Sequence, residues 1–159
     1  MKPNLRFLLS DPAHFIALGF GSGLWPKVPG TAGTLAGWLL FPFIYAPLSD
    51  PLFGALLVAC FLFGILACER TGRALGVADH GAVVWDEIVA IWLVLWLTPT
   101  TLAWQTTAFV VFRFFDIVKP PPIRWVDERT RGGLGVMFDD ILAAGYTLLV
   151  LAILVRFLG

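Results

Sequence analysis

Five apolar segments constrain the fold of this chain more than any other feature. They cover approximately residues 34–46, 52–68, 88–97, 102–115 and 141–158. Because 58% of the residues are hydrophobic and only 14% are charged, the composition is typical of a polytopic membrane protein rather than a soluble domain. We therefore predict one all-α, membrane-embedded domain over residues 1–159. It should be a compact helical bundle of about five transmembrane helices, with four as the alternative, because some segments fall short of the ~20 residues that a perpendicular span requires.

The distribution of basic residues predicts the orientation of the bundle. If all five segments cross the membrane, the N-terminal region and the loops around residues 69–87 and 116–140 lie on one side. That side carries nine of the eleven Lys and Arg residues. Basic residues in short loops favour the cytoplasmic side of a membrane. We therefore expect these loops to face the cytoplasm.

Six of the eleven acidic residues lie in three blocks beside the apolar segments: Asp79, Asp86 and Glu87; Asp116; and Asp139 with Asp140. The predicted orientation places all three blocks at the same face. Clustered carboxylates repel one another unless a cation neutralises them. Acidic residues at a helix start can also act as N-caps, which stays open as the explanation for one member of each pair. Capping does not explain Asp116, which falls at the end of a helix.

The residue types in these blocks indicate a metal-assisted phosphate site. Carboxylate oxygens are ligands that Mg²⁺ prefers, and neighbouring Arg113 and Lys119 could bind phosphate oxygens. Metal and cations together are what phosphoryl transfer requires. A local salt bridge between Arg113 and Asp116, three residues apart on a helix, is the simpler alternative. His80 could act as a base or proton shuttle, or it could be structural.

A glycine-rich stretch over residues 19–34 precedes the first apolar segment. Exposed amides at a helix start bind anions, so Gly30, Thr31 and Thr34 are candidate phosphate ligands. The stretch contains no Gly-Lys-Ser/Thr sequence and is not a Walker loop. The alternative is a flexible turn, with Gly33 and Gly37 as a helix-packing face.

These motifs closely resemble the phosphatidylglycerophosphatase A family, in order and over nearly the whole chain. The matching strings are Gly21-Ser22-Gly23 with Val28-Pro29-Gly30-Thr31, Asp79-His80-Gly81 with Trp85-Asp86-Glu87, Phe112-Arg113 with Asp116 and Lys119-Pro120, and Gly132-Gly133 with Asp139-Asp140. The resemblance implies a Mg²⁺-dependent hydrolase of the bacterial inner membrane. Such an enzyme removes the terminal phosphate of phosphatidylglycerophosphate in phospholipid biosynthesis.

The expected site follows from this resemblance. The metal ligands would come from Asp79, Asp86, Glu87, Asp116, Asp139 and Asp140, and the phosphate ligands from Arg113, Lys119, Arg124, Gly30, Thr31 and Thr34. Asp86 or Asp139 would position the attacking water, with His80 as a further catalytic candidate. Attack by water and a phospho-aspartate intermediate both stay open, as does the division between ligands and base.

A cation or proton transporter is the alternative function, because intramembrane carboxylates can line an ion path. Transporters favour acidic residues at mid-span and often contain inverted repeats, and the sequence shows no such repeat. The net charge is zero, and there is no basic aromatic patch to indicate a nucleic-acid partner. We expect a lipid substrate, a membrane environment and no obligatory protein partner.

Overall fold

The computed structural model describes residues 2–159, and all regular secondary structure in that range is helical. The α-helices are α1 (Leu5–Leu9), α2 (Pro12–Ala17), α3 (Pro29–Tyr45), α4 (Asp50–Leu75), α5 (Trp85–Trp96), α6 (Leu102–Val118), α7 (Ile123–Arg129) and α8 (Gly132–Leu158). A short 3₁₀ segment, Gly19–Leu24, lies between α2 and α3. The five apolar segments coincide with α3, α4, α5, α6 and α8, so the prediction of an all-α fold is confirmed.

Two helices of the described range, α4 and α8, are long and apolar enough to cross a membrane. Only 28% and 22% of their most apolar windows are buried inside the protein, so most of this apolar surface faces outward. Helices α3 and α6 have 17 residues each, and α5 has 12. At 1.5 Å per residue they extend about 26 Å and 18 Å, against a hydrocarbon thickness of about 30 Å. The five-span arrangement therefore stays a prediction.

Helix α5 lies at the centre of the bundle. It packs against α3, α4, α6 and α8, and nine of its 12 residues are buried. Glycines on α3 allow the close approach: a Cβ at Gly33 would overlap Val84, and one at Gly37 would overlap Ile91. The Trp92 indole donates a hydrogen bond of 2.8 Å to the Gly37 carbonyl. This packing fixes the rotation of α5, and with it the direction of the acidic residues in its first turn.

Helix α8 begins earlier than the sequence suggested. The Glu69 carboxylate of α4 accepts a hydrogen bond of 2.6 Å from the Gly133 amide and so caps the helix. A Cβ at Gly133 would lie 1.9 Å from the Ile65 carbonyl oxygen, so only glycine allows α4 and α8 to meet here. Asp139 and Asp140 consequently lie about two turns inside α8. The alternative that one of them caps a helix start is wrong.

Helices α1 and α2 and the 3₁₀ segment pack over the end of the bundle where α4 finishes and α5 begins. Asp11 caps α2 through the Ala13 amide and also accepts a hydrogen bond of 2.7 Å from Arg70 of α4. His14 is buried, and its Nδ1 lies 2.9 Å from the Thr71 hydroxyl. Burial lowers the pKa of this imidazole. These contacts tie the N-terminal segment to α4.

Candidate active site

Three carboxylates from two helices converge beneath this end of the bundle. Asp86 and Glu87 lie in the first turn of α5, and Asp140 lies in α8. Each offers one oxygen atom, and these three oxygens all lie within 4.8 Å of one another. Asp86 is 6% exposed and Asp140 only 1%, so the group is largely shielded from solvent. We call Asp86, Glu87 and Asp140 the carboxylate triad.

Each member of the triad has a buried oxygen without a hydrogen-bond partner among residues 2–159: Oδ1 of Asp86, Oε2 of Glu87 and Oδ2 of Asp140. Buried polar atoms in proteins are normally paired, and an uncompensated buried charge costs several kcal/mol. A hard divalent cation satisfies such a group, because Mg²⁺ and Ca²⁺ bind carboxylate oxygens. The donor set and its unpaired oxygens therefore fit the predicted Mg²⁺.

A second acidic group surrounds Lys119. The ammonium lies 2.6 Å from Asp139, 3.9 Å from Asp127 and 4.0 Å from Asp116. Lys119 ends α6 with a left-handed backbone (φ 50°), which turns the chain towards α7. Burial lowers the pKa of Lys119, but the neighbouring carboxylates, above all Asp139, outweigh burial and raise the pKa above its usual value. The side chain is therefore cationic at neutral pH.

Arg113 of α6 connects the two acidic groups. Its guanidinium binds Asp116, as the i,i+3 spacing predicted, and lies 3.9 Å from Glu87 of the triad. Its Nε is buried and unpaired within the described part of the chain. Among residues 2–159, this region thus combines two cationic side chains, Arg113 and Lys119, with five buried or half-buried carboxylates: Asp86, Glu87, Asp116, Asp139 and Asp140. This imbalance again favours a bound cation.

The start of α3 closes the site from another side. A Cβ at Gly30 would lie 3.0 Å from the Glu87 carboxylate and 3.1 Å from the Arg113 guanidinium. Pro29 occupies the first helical position, so the amides of Gly30 and Thr31 are the free donors of the first turn. Thr34 is fully buried, and its hydroxyl donates to the Gly30 carbonyl at 2.7 Å. Thr34 thus supports the turn with its hydroxyl, while Gly30 and Thr31 present amides.

The remaining candidates lie at the rim of the site. Asp79 is exposed and lines a crevice of about 300 Å³ together with Asp127. His80 is half-buried, and its Nδ1 accepts a hydrogen bond of 3.1 Å from the Ala82 amide. Arg124 is exposed and donates to the Val118 carbonyl. None of the three belongs to the carboxylate triad, and their predicted roles stay predictions.

Sequence reasoning missed one residue near Lys119. Asp127 lies in α7, in a loop region that the sequence presented mainly as basic. It approaches Lys119 only because α6 ends in the left-handed conformation and α7 packs on α8. No spacing rule relates residues 119 and 127 on one helix, so no signal in the sequence could have predicted this contact.

Comparisons with known proteins identify relatives of this chain. The family model for phosphatidylglycerophosphatase A matches residues 15–155. The chain is 45% identical to phosphatidylglycerophosphatase A of Haemophilus influenzae over 94% of this chain and 92% of that protein. It is 43% identical to phosphatidylglycerophosphatase A of Escherichia coli over 87% and 80%, respectively.

A third relative carries a different name. It is a protein of Bacteroides thetaiotaomicron named as a candidate phosphatidylinositol-3-phosphatase, 40% identical over 87% of this chain and 90% of that protein. No solved structure matches the chain. The family model covers most of the chain, and two relatives above 40% identity bear the same family name. The chain therefore belongs to the phosphatidylglycerophosphatase A family.

Proposed function

We propose that this protein hydrolyses the terminal phosphate of phosphatidylglycerophosphate, giving phosphatidylglycerol and phosphate, in a Mg²⁺-dependent reaction. The names of the two closely similar relatives support the substrate. The observation that carries the mechanism is the carboxylate triad, which has unpaired buried oxygens and whose Glu87 lies 3.9 Å from Arg113. No cation-transport function is needed to explain these acidic residues.

The triad would hold the metal through Asp86, Glu87 and Asp140. When bound, Mg²⁺ supplies positive charge that neutralises the phosphate oxygens as the bond to the leaving oxygen breaks. Mg²⁺ in phosphoryl-transfer sites usually binds one or two carboxylates together with water and phosphate oxygens, and the triad would supply those carboxylates.

The phosphate would lie between Arg113 and the start of α3. The guanidinium can bind two phosphate oxygens at once, and its buried Nε is unpaired within residues 2–159. The Gly30 and Thr31 amides lie at the N-terminal, positive end of α3, where Gly30 is next to Arg113. A side chain at position 30 would intrude on this space, which gives a reason for glycine there.

Asp139 is the best placed of the two candidate bases. One of its oxygens is held by Lys119 at 2.6 Å, and the other, Oδ1, is buried and unpaired within the described residues. The Lys119 contact fixes the carboxylate so that Oδ1 can accept a proton from a water molecule. Asp86 belongs to the triad, where metal binding would compete with that task.

We place the protein in the bacterial inner membrane as a multi-pass enzyme of phospholipid biosynthesis, with its site facing the cytoplasm. The apolar, outward-facing surfaces of α4 and α8 support a membrane location. The basic residues gather at the same end of the bundle as the site, which supports the orientation.

Phosphate release by the purified protein in detergent tests the proposal. We expect release from phosphatidylglycerophosphate with Mg²⁺ and none with EDTA. Asp139→Asn should lower kcat by about 10²–10⁴-fold, the usual range for a lost general base. Asp86→Asn should also lower turnover, but added Mg²⁺ should partly restore it because the defect is in metal affinity.

Asp50→Asn is the matched control. Asp50 lies at the start of α4, where it accepts hydrogen bonds from Tyr45 and Trp96 away from the triad. This variant should retain normal turnover. Phosphatidylglycerol, a phosphodiester, should not be hydrolysed, because only a terminal phosphate offers three unesterified oxygens. Normal turnover by both Asp86→Asn and Asp139→Asn, or equal activity with EDTA, would contradict the proposal.

A further inference from the structure

Two apolar grooves run along the outer surface of the bundle, and they differ in their relation to the site. The first, which we call the α3–α6 groove, consists of two adjoining hollows that share Leu35 and Leu39: one of about 650 Å³ between α3 and α6, and one of about 380 Å³ between α3 and residues 22–28. Each volume is within the range of about 300–1,000 Å³ found for ligand sites. The second, the α4–α5–α8 groove, has a volume of about 310 Å³ and is lined in part by Val58, Leu93 and Phe138.

The walls of the α3–α6 groove are continuous with the phosphate-binding elements. On α6, Leu102, Gln105, Phe109 and Arg113 follow one another at helical spacing, so they form one stripe. The first two of these line the groove, and Arg113 lies at the proposed phosphate position.

The α3 wall has the same arrangement. Thr31, Leu35, Leu39 and Pro42 line the groove, and Gly30, beside Thr31, contacts Arg113 and Glu87. Helix α3 thus runs from the proposed phosphate position along both hollows, and α6 forms the opposite wall of the larger one.

Trp38 forms a floor between the two walls. Its indole donates a hydrogen bond of 2.9 Å to the Gln105 side chain, and its ring stacks on Phe109 with centroids 5.4 Å apart. The bridge satisfies the polar atoms at the base of the groove. The outer side is open, since Leu35, Leu39 and Leu102 are 43%, 64% and 73% exposed.

The α4–α5–α8 groove is closed at the end nearest the site. The Trp85 indole donates to the Cys60 carbonyl at 3.0 Å. A Cβ at Gly64 would lie 2.7 Å from this indole and 2.8 Å from Met137. Trp85, Gly64 and Met137 therefore form a packed layer between this groove and the cytoplasmic end of the bundle. A ligand anchored at Arg113 could not extend into it.

We propose that the α3–α6 groove holds an acyl chain of the phosphomonoester lipid while its phosphate lies at Arg113. This inference rests on the proposed function and adds the position of the substrate's apolar part. Lipid tails are as apolar outside the groove as inside, so the groove contributes orientation more than affinity. Holding one chain along α3 and α6 directs the headgroup towards the triad.

Photo-crosslinking tests the position directly. Phosphatidylglycerophosphate with a diazirine on one acyl chain is mixed with the wild-type protein and illuminated at once, and the modified residues are mapped by mass spectrometry. We expect adducts on Leu35, Leu39 or Leu102 that excess dioleoyl phosphatidylglycerophosphate suppresses and dioleoyl phosphatidylcholine does not. Adducts concentrated at Val58 and Leu93, or spread over all exposed apolar residues, would overturn the inference.

A pair of tryptophan variants provides an independent measurement. Leu35→Trp should fill the groove and lower kcat/KM for a dioleoyl substrate by about tenfold, equivalent to ~1.4 kcal/mol. A dibutanoyl substrate should be little affected, because its four-carbon chains occupy much less of the groove. Val58→Trp, at an exposed position of the other groove, should change neither value.

The possible results separate the two proposals. Equal loss with both substrates in Leu35→Trp, or a larger loss in Val58→Trp, would overturn the acyl-chain site. Absence of phosphate release by the wild-type protein would instead defeat the proposed function, while the crosslinking pattern would still decide where the lipid chain lies.

Discussion

Asp140→Asn should make the metal-free protein more stable and remove most of its response to Mg²⁺. The triad oxygens lie within 4.8 Å of one another, so the Asp140 charge faces two other carboxylates. At an effective dielectric constant of about 20, each such pair repels by at least about 3.5 kcal/mol. Proton uptake relieves part of this repulsion, so we expect a net gain of about 1–3 kcal/mol without metal. For a chain of this size that corresponds to a rise in Tm of roughly 2–10 °C.

Mg²⁺ should stabilise the wild type much more than the variant. At a concentration about 100 times its Kd, a ligand stabilises the protein that binds it by about 2.7 kcal/mol. If the substitution weakens binding about 100-fold, the same concentration stabilises the variant by only about 0.4 kcal/mol. The variant should therefore show about one-sixth of the wild-type gain in stability.

Thermal unfolding in detergent, recorded with EDTA and over a Mg²⁺ titration, measures both effects. Asp50→Asn makes the same chemical change at a carboxylate that Tyr45 and Trp96 already satisfy, so its response to Mg²⁺ should equal that of the wild type. The reasoning fails if Asp140→Asn is less stable than the wild type in EDTA, or if its Tm rises with Mg²⁺ as much as that of the wild type.

Three further results are expected. Lys119→Gly should be more stable than Lys119→Ala by about 1 kcal/mol in the free energy of unfolding, and it should therefore have the higher Tm. Both variants lack the ammonium, but only glycine adopts the left-handed backbone without strain. Equal Tm values would contradict this. Burial lowers the pKa of His14, so the unfolded chain binds more protons below about pH 6.5. The wild-type Tm should therefore fall from pH 7 to pH 5 more than that of His14→Asn, and parallel curves would exclude this role. A cysteine at position 100 should react with an impermeant reagent outside intact cells and one at position 130 should not; the reverse would refute the cytoplasmic site.

Local sequence signals determined the helices and the chemistry available to them. An apolar segment is visible in consecutive residues, so the five apolar segments predicted α3, α4, α5, α6 and α8 directly. The Arg113–Asp116 ion pair follows from a spacing of three residues on one helix. The Asp86-Glu87 pair was correctly predicted to lie at a helix start, because it directly precedes an apolar segment. Motif order was sufficient to identify the family.

Only the tertiary structure decided which acidic residues meet. Nothing in the sequence distinguished the six candidate carboxylates as metal ligands. The packing of Gly33 and Gly37 against the start of α5 sets the rotation of α5 and directs Asp86 and Glu87 towards Asp140. The boundaries of α8 likewise depend on a cap from Glu69, 64 residues away.

Helix rotation and register arise from contacts between residues far apart in the chain, and no local pattern records them. For that reason the sequence alone indicated a metal-binding, phosphate-binding face. The three-dimensional packing separated the triad of Asp86, Glu87 and Asp140 from the group in which Lys119 neutralises Asp139.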